Sequence, residues 1–318
     1  NTIDGACVRR KNLLKNREMD ITFMVGDISK NIKNGDSFND LISTKLWESG
    51  RLNMPFDIIS CMFAIHYVFN SEENLDNLIN NIDENLKYGG YFIGTCLDGQ
   101  MVFDLFKRKI YNDYVVGTKN DKIIWKLKKL YIDTEFTNNK DSLNMKIGVF
   151  MNSINQEIYE YLVNFEYLVQ KLKEKHIILL SSELSRNMNL PMDHLGKYKS
   201  EGSFKNIFND LDGYIQEDGI TKFNKVLINN VKKNLSESEK KLSFLSRYFI
   251  FRKMSVDEIK IETIFNNIVN NIVYNKYFNK KSIKYDKLKT QYERDFNIII
   301  DEDIWDNVKE KLLKKIIK

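Results

Sequence analysis

The sequence predicts an α/β protein: a doubly wound, largely parallel sheet carrying an inserted antiparallel hairpin, followed by a mainly helical C-terminal extension. Three observations lead there. Phe56-Asp57-Ile58-Ile59-Ser60-Cys61-Met62-Phe63-Ala64 is a short apolar run ending in small residues, the mark of a strand buried in a parallel sheet. Leu75, Leu78, Ile79, Ile82 and Leu86 then recur at helical spacing and make one apolar face. Tyr91-Phe92-Ile93-Gly94-Thr95 is a second apolar run that completes a strand–helix–strand unit. Ligands of such sheets bind beyond the carboxyl ends of the strands. His66 and Tyr67 stand at that end of the first run.

The remaining elements follow in order. Ala6 to Asn16 reads as a basic helix with Arg9, Arg10, Lys11 and Lys15, and Ile21 to Val25 as a strand ending at Gly26-Asp27. Asn34 to Asp40 is a polar loop, and Leu41 to Trp47 a short helix. Asn70 or Ser71 caps the helix of the central unit, with Glu72 and Glu73 favourable in its first turn. Lys87-Tyr88-Gly89-Gly90 is expected to end it, because glycine tolerates the left-handed C-cap conformation. Met101 to Lys109 reads as a helix. Ile123–Leu127 and Lys146–Phe150, flanking the polar stretch Thr134 to Asn144, read as the inserted hairpin. Glu160 to Val163 is extended, Phe165 to Lys175 a helix and His176 to Leu180 a strand. Phe204 to Leu211 is a further helix, and Leu242 to Lys253 alternates as the last strand.

Residues 1–253 thus read as one domain and 254–318 as an extension of different character. Ser255-Val256-Asp257-Glu258 fits a capping box, and Ile261, Ile264, Ile268 and Ile272 give the following helix one apolar face. Asp301-Glu302-Asp303 opens a final helix whose end, Lys309 to Lys318, is loaded with cations, an order that complements the helix dipole.

Composition sets the bounds. With 318 residues, 42% hydrophobic and 29% charged, the chain has room for one large domain and an appendage. A net charge of +5 suits a polyanionic ligand without distinguishing one from a solvated lysine-rich surface. Cys7, Cys61 and Cys96 have no metal-ligand spacing, so buried reduced thiols and no metal site are expected. No uninterrupted apolar stretch reaches membrane-spanning length, no membrane partner is expected, and a cytoplasmic protein follows.

Ser60-Cys61-Met62-Phe63-Ala64-Ile65-His66-Tyr67, then Gly89-Gly90-Tyr91-Phe92-Ile93-Gly94-Thr95 and Asp98, resemble mRNA cap guanine-N7 methyltransferases. That family carries Ser-Cys-Gln-Phe-Ala-x-His-Tyr at one strand end and Gly-Gly-x-Phe-Ile-Gly-Thr-x-x-Asp in the next strand. Glu160-Tyr161-Leu162-Val163-Asn164-Phe165 resembles a third family block and Gly202-Ser203-Phe204 a weaker fourth, so the similarity runs in order from about Asn1 to Lys253. The resemblance implies a Rossmann-like fold that uses S-adenosylmethionine and acts on capped RNA, similar to the capping enzymes of large DNA viruses. A viral factory or virion would then replace the plain cytoplasm. Partners would include the upstream triphosphatase and guanylyltransferase parts of the same enzyme, or a capping subunit. No Gly-x-Gly turn precedes the basic helix, so the first strand and glycine loop appear missing and the chain is expected to begin partway into its domain. The same gap keeps open the alternative of a non-catalytic, methyltransferase-like subunit that binds RNA or stimulates a partner.

At the level of residues, the resemblance implies that Asp27 and Ile28 meet the adenine, that Met62 and Phe63 lie along the cofactor, and that Tyr67 flanks its methionine part. It implies cap-binding roles for Arg9 at the triphosphate, His66 at the guanosine and Glu160 at the N1 and N2 hydrogens of the base. Two positions depart from the family. Met62 stands where glutamine is usual, and Ser246 where a cap-stacking tyrosine is usual; Tyr248, two residues on and on the same strand face, is the substitute. No acid–base pair is required, because guanine N7 already has a lone pair and no proton to lose.

Overall fold

The computed structural model describes residues 21–180, 201–215, 222–271, 274 and 284–316. Arg9, Cys7, the basic segment Ala6 to Asn16, and Ile272 lie outside the described residues. Those up to Lys253 form one compact unit and those from Met254 a second.

The first unit begins with an irregular segment. Ile21 to Asp27 is not a strand: Val25 N donates to Ser43 Oγ at 2.7 Å and Asp27 N to Ser37 O at 2.9 Å, so these groups are satisfied by the following helix and the loop before it. Helix α1 (Leu41–Glu48) is capped by Asp40, whose carboxylate accepts from Ile42 N and Ser43 N. Strand β1 (Phe56–Met62) leads through the short helical turn Ile65–Val68 into α2 (Glu72–Asn85), capped by Ser71. α2 runs directly into β2 (Leu86–Leu97), which pairs parallel with β1 from Ile58↔Tyr91 to Met62↔Thr95.

Gly89 and Gly90 therefore do not cap the helix. They make a bulge inside β2, where the register with β1 shifts; Gly89 has φ +79°, and a Cβ on Gly90 would lie 2.9 Å from Asp57 O.

Asp98 caps α3 (Gly99–Leu105), shorter than the periodicity predicts. The insert then proves larger than a hairpin. β3 (Tyr114–Lys119), β4 (Lys122–Lys129), β5 (Lys146–Met151) and β6 (Gln156–Tyr161) form a four-stranded antiparallel sheet. The expected pairing of the two central strands holds, from Trp125↔Met151 to Lys129↔Ile147. Asn164 caps α4 (Phe165–Glu174), which precedes β7 (Ile177–Leu179). Beyond it come β8 (Glu201–Ser203), α5 (Phe204–Ile215), α6 (Lys222–Asn234) and α7 (Glu237–Ser243). β9 (Ser246–Lys253) closes the unit. The alternation read over Leu242 to Lys253 thus holds only from Ser246, because a capping box, Ser236 with Glu239, carries a helix through Ser243.

β9 runs antiparallel to β2 and holds β7 and β8 on its other edge, giving the order β1-β2-β9-β7. α2 and α4 bury Leu75, Ile79, Ile82, Phe165, Leu168 and Leu172 against Phe92, Phe249 and Phe251 of this sheet. Each such side chain contributes about 1.5–3 kcal/mol on burial. The insert has its own core, where α3 supplies Val102 and Phe103 against Trp125, Leu127, Ile147 and Val149.

The second unit is helical: α8 (Val256–Asn270), α9 (Tyr285–Phe296) and α10 (Glu302–Ile316) pack around Ile264, Ile268, Leu288, Tyr292, Trp305 and Val308. The capping box of Ser255 and Glu258 is present. Among the described residues no helix is long and apolar enough to cross a membrane.

Candidate active site at the carboxyl ends of the sheet

Phe63 ends β1 in the left-handed region, φ 49°, while its N–H donates to Thr95 O at 2.8 Å. A bulky residue adopts that conformation at a cost on the order of 1 kcal/mol, so the surroundings must impose it. It throws the chain out of the sheet into the turn Ile65–Val68, whose Ile65, Val68 and the next residue, Phe69, are wholly buried. Neighbouring side chains then diverge: His66 points inward and is 4% exposed, whereas Tyr67 is 47% exposed. Their rings still meet edge to face, with centroids 4.2 Å apart.

Glu160, on β6, is brought to His66 from the inserted sheet. Its Oε1 lies 3.6 Å from His66 Nε2, too far for a hydrogen bond, and the carboxylate is also buried. Burial pushes the Glu160 carboxyl up to about 7 and the His66 imidazole down to about 4. Around neutrality the two are therefore not an ion pair. Neither ring nitrogen of His66 has a hydrogen-bond partner. Buried polar atoms are almost always satisfied, so these two orphaned nitrogens, one of them beside a buried carboxyl group, make this a candidate site for a polar ligand. Tyr67 shares that place, its phenol raised first by burial and then by the nearby Glu160 charge.

The register extends the site across the sheet. Met62 pairs with Thr95, Thr95 with Tyr248, and Tyr248 with Gly202, giving one row at the carboxyl ends of β1 and β2. Thr95 Oγ1 reaches Met62 Sδ at 3.5 Å. Gly202 lies close under Tyr248: a Cβ there would come to 3.0 Å from Tyr248 Oη, so a larger residue would press on that phenol. Burial, then the charges of Asp210 and Glu201, raise the Tyr248 phenol. Phe204 packs edge-on against Phe63 at 6.0 Å, joining α5 to the end of β1.

Asp27 sits in a turn rather than at the end of a strand. Its Oδ1 accepts from Ser29 Oγ at 2.7 Å and Ser29 N at 2.9 Å, and these bonds hold its carboxyl below the usual range. Ile28 follows it into an open groove of about 480 Å³ beside β1, walled also by Met24, Phe38, Ile58 and Cys61. The turn is clasped by α2. Asn81, 3% exposed, accepts from Ile32 N and donates to Ile28 O and Lys30 O, while Asn77 donates to Ser29 O. An ionised carboxylate next to an apolar groove suits an adenine amino group and ring. Met62, Phe63 and Tyr67, about half exposed, form an apolar shelf at the end of β1.

The structure thus brings together Met62, Phe63, His66, Tyr67, Glu160 and Tyr248, and places Asp27 and Ile28 at the groove; Arg9 lies outside the described residues. Sequence reasoning missed Asn77, Asn81 and Arg247. The asparagines interrupt the charged face of α2 four residues apart, a legible signal. Arg247 gave none: its guanidinium bonds Asp98 at 3.1 Å and Glu201 at 2.6 Å and lies 3.4 Å over the Phe165 ring, tying the end of β2 to β8.

Comparison with known proteins identifies the family. The probable mRNA-capping enzyme of Acanthamoeba polyphaga mimivirus is 30% identical over 211 residues, covering 64% of this chain and 18% of that protein. The mRNA cap guanine-N(7) methyltransferases of Meyerozyma guilliermondii and Candida albicans are 28% and 27% identical over 48% and 57% of this chain. The chain spans 29% and 33% of those two proteins. An S-adenosylmethionine-dependent methyltransferase from Clostridium acetobutylicum aligns at 13% identity over 79% of this chain and 72% of its own, with a TM-score of 0.39, too slight to weigh. The family model of the mRNA (guanine-N(7))-methyltransferase domain matches residues 3–254, and the chain belongs to that family.

Proposed function

We propose that this chain transfers a methyl group from S-adenosylmethionine to N7 of the guanosine cap of GpppN-RNA. The observation that carries the reading is the buried, unbonded His66 facing Glu160 at the carboxyl end of β1, within a domain of the cap methyltransferase family. The cofactor supplies an activated methyl group on a sulfonium. Because N7 has a lone pair and no proton to lose, the protein's residues act by position and by excluding water, for which effective molarities reach about 10⁵ M or more.

Glu160 accepts the N1 and N2 hydrogens of guanine. Its carboxylate form, dominant above about pH 7, gains strength as N7 becomes positive. His66, neutral at that pH, has one nitrogen to donate and one to accept toward the nucleoside. Tyr67 separates base from cofactor, and Tyr248 lies under the base on the sheet row. Asp27 and Ile28 receive the adenine, while Met62 and Phe63 line the cofactor's path. Met62 offers no amide, so contact there is through backbone. Arg9 meets the cap triphosphate. In this reading capped RNA is the substrate, the rest of a capping enzyme or a capping subunit is the partner, and the cytoplasm or a viral factory is the setting.

The reading is tested by methyl transfer to GpppG-RNA, with ApppG-RNA and m7GpppG-RNA as controls. Transfer to the first alone supports it. Equal transfer to ApppG-RNA would remove guanine recognition by Glu160.

A further inference from the structure

We propose that a second pocket, of about 290 Å³ where the end of α3 meets the exit of β4, binds a nucleoside phosphate, with the phosphate on Lys129 and Tyr131. Nothing in it overlaps the site at the carboxyl ends of the sheet, so the proposal stands independently of cap methylation.

The first observation is an orphaned phenol. Tyr131 is 4% exposed, it lines the pocket, and its hydroxyl has no hydrogen-bond partner. The second is a buried cation beside it. Lys129 is 8% exposed; its ammonium donates to Lys109 O at 3.0 Å and lies 4.7 Å from the centre of the Tyr131 ring. One bond to a neutral carbonyl leaves further ammonium hydrogens available, and among the described residues no carboxylate lies within ion-pairing distance of Lys129. A buried cation without a counter-charge and a buried hydroxyl without an acceptor both ask for the same thing, an anionic oxygen.

The rest of the lining says what carries that oxygen. Lys109 adds positive charge, whereas the exposed Lys107 is offset by Asp104 at 2.7 Å; Asp133 is the one acidic residue of the wall, and it and Asp104 both act on the Tyr131 phenol. Phe103 stacks on Tyr131 with ring centroids 5.7 Å apart and fixes the phenol in place. Ile110 and Ile132 are 75% and 80% exposed at the rim, and Tyr111 presents a half-exposed ring. One buried cation, Lys129, with apolar and aromatic surface at the rim matches a phosphate attached to a flat base, since base–aromatic stacking is tolerant of sequence. The volume suits one nucleotide, either free or a unit of an RNA chain.

Calorimetric titration of the protein with AMP, adenosine, inorganic phosphate and an uncapped, 5′-phosphorylated RNA hexanucleotide tests this. AMP is expected to bind at least tenfold more tightly than adenosine or phosphate. Lys129→Met should weaken AMP at least tenfold and Tyr131→Phe several-fold, while Glu160→Gln leaves it unchanged. Tyr131→Phe keeps the ring and loses a hydroxyl that has no partner, so its ligand-free melting temperature should be unchanged or higher. It therefore serves as the test even if Lys129→Met fails to fold. A hexanucleotide bound at least tenfold more tightly than AMP identifies the RNA chain as the source, and equal binding a free nucleotide. Absence of binding at millimolar AMP, phosphate bound as tightly as AMP, or AMP binding that survives Tyr131→Phe intact would overturn the proposal.

Discussion

Replacing Glu160 by glutamine should make the domain more stable at pH 8 and much less active. The carboxyl is raised from 4.5 to about 7 by burial. A folded-state pKa above the unfolded one means that the group's stability contribution is full below pH 4.5 and is lost as pH rises through about 7. At roughly 1.4 kcal/mol per pKa unit, the ionised carboxylate costs the fold about 3 kcal/mol at pH 8. Glutamine keeps the shape and removes the charge, but its amide is still desolvated. The net gain is then about 1–2 kcal/mol, or a few degrees in melting temperature for a domain of this size. Thermal unfolding at pH 8 and pH 4 reads it directly, because the gain should be lost and reversed at pH 4, where the carboxyl is protonated in both the folded and the unfolded chain. In the same variant kcat/KM for capped RNA should fall about ten- to a hundredfold, the effect of about 1.5–3 kcal/mol from a lost charge-assisted hydrogen bond, with cofactor affinity unchanged. A variant less stable at pH 8, or fully active, would make Glu160 an ordinary core residue and refute the reasoning.

Other consequences follow from the same site. Wild-type kcat/KM should rise about tenfold per pH unit up to about pH 7 and level off above it, in a stopped-time assay with capped RNA; Glu160→Gln should lack the rise. His66 titrates in the opposite sense: lowered to about 4, it contributes stability above pH 6.5 that is lost as pH falls through 4. His66→Asn should therefore flatten the acid limb of the stability curve, and should lower turnover with little change in cofactor affinity. Tyr67→Ala should weaken both cap and cofactor binding without lowering the melting temperature appreciably, since the ring is half exposed. Asn81→Leu strands Ile32 N, Ile28 O and Lys30 O, so it should cost about 2–4 kcal/mol and weaken S-adenosylmethionine binding several-fold by releasing the turn that carries Asp27.

The sequence was most legible where local chemistry and tertiary packing agree. The strand from Phe56, the Ser71 cap, the apolar face of α2 and the Ser255–Glu258 capping box all appear, but β1 lies at the edge of the described sheet and is largely exposed rather than buried as read. Gly89-Gly90 misled because the same conformational freedom that ends a helix also makes a bulge, and only the register with β1 distinguishes the two. Ile21 to Val25 has strand composition, but its neighbours in space are Ser37 and Ser43, not another strand. β3 was not read as a strand and β6 only at its end, within the extended stretch Glu160 to Val163, because their pairing with β4 and β5 is a tertiary fact. For the site, residue identities came from family-like blocks. What those blocks could not convey is that Glu160 and His66 are buried against each other, because one lies on β6 and the other in the turn after β1, ninety-odd positions apart in the sequence.

The most direct measurement is the position of the methyl group. The polypeptide containing this chain would be incubated with GpppG-capped RNA and S-adenosylmethionine, the RNA digested with nuclease, and the cap dinucleotide identified by mass spectrometry against synthetic standards. The site geometry predicts 7-methylguanosine in the cap, formed by the wild type and reduced at least tenfold in both Glu160→Gln and His66→Asn, whose melting curves stay cooperative. A methyl group on a ribose oxygen or an internal base, or N7 methylation that both variants sustain in full, would contradict it.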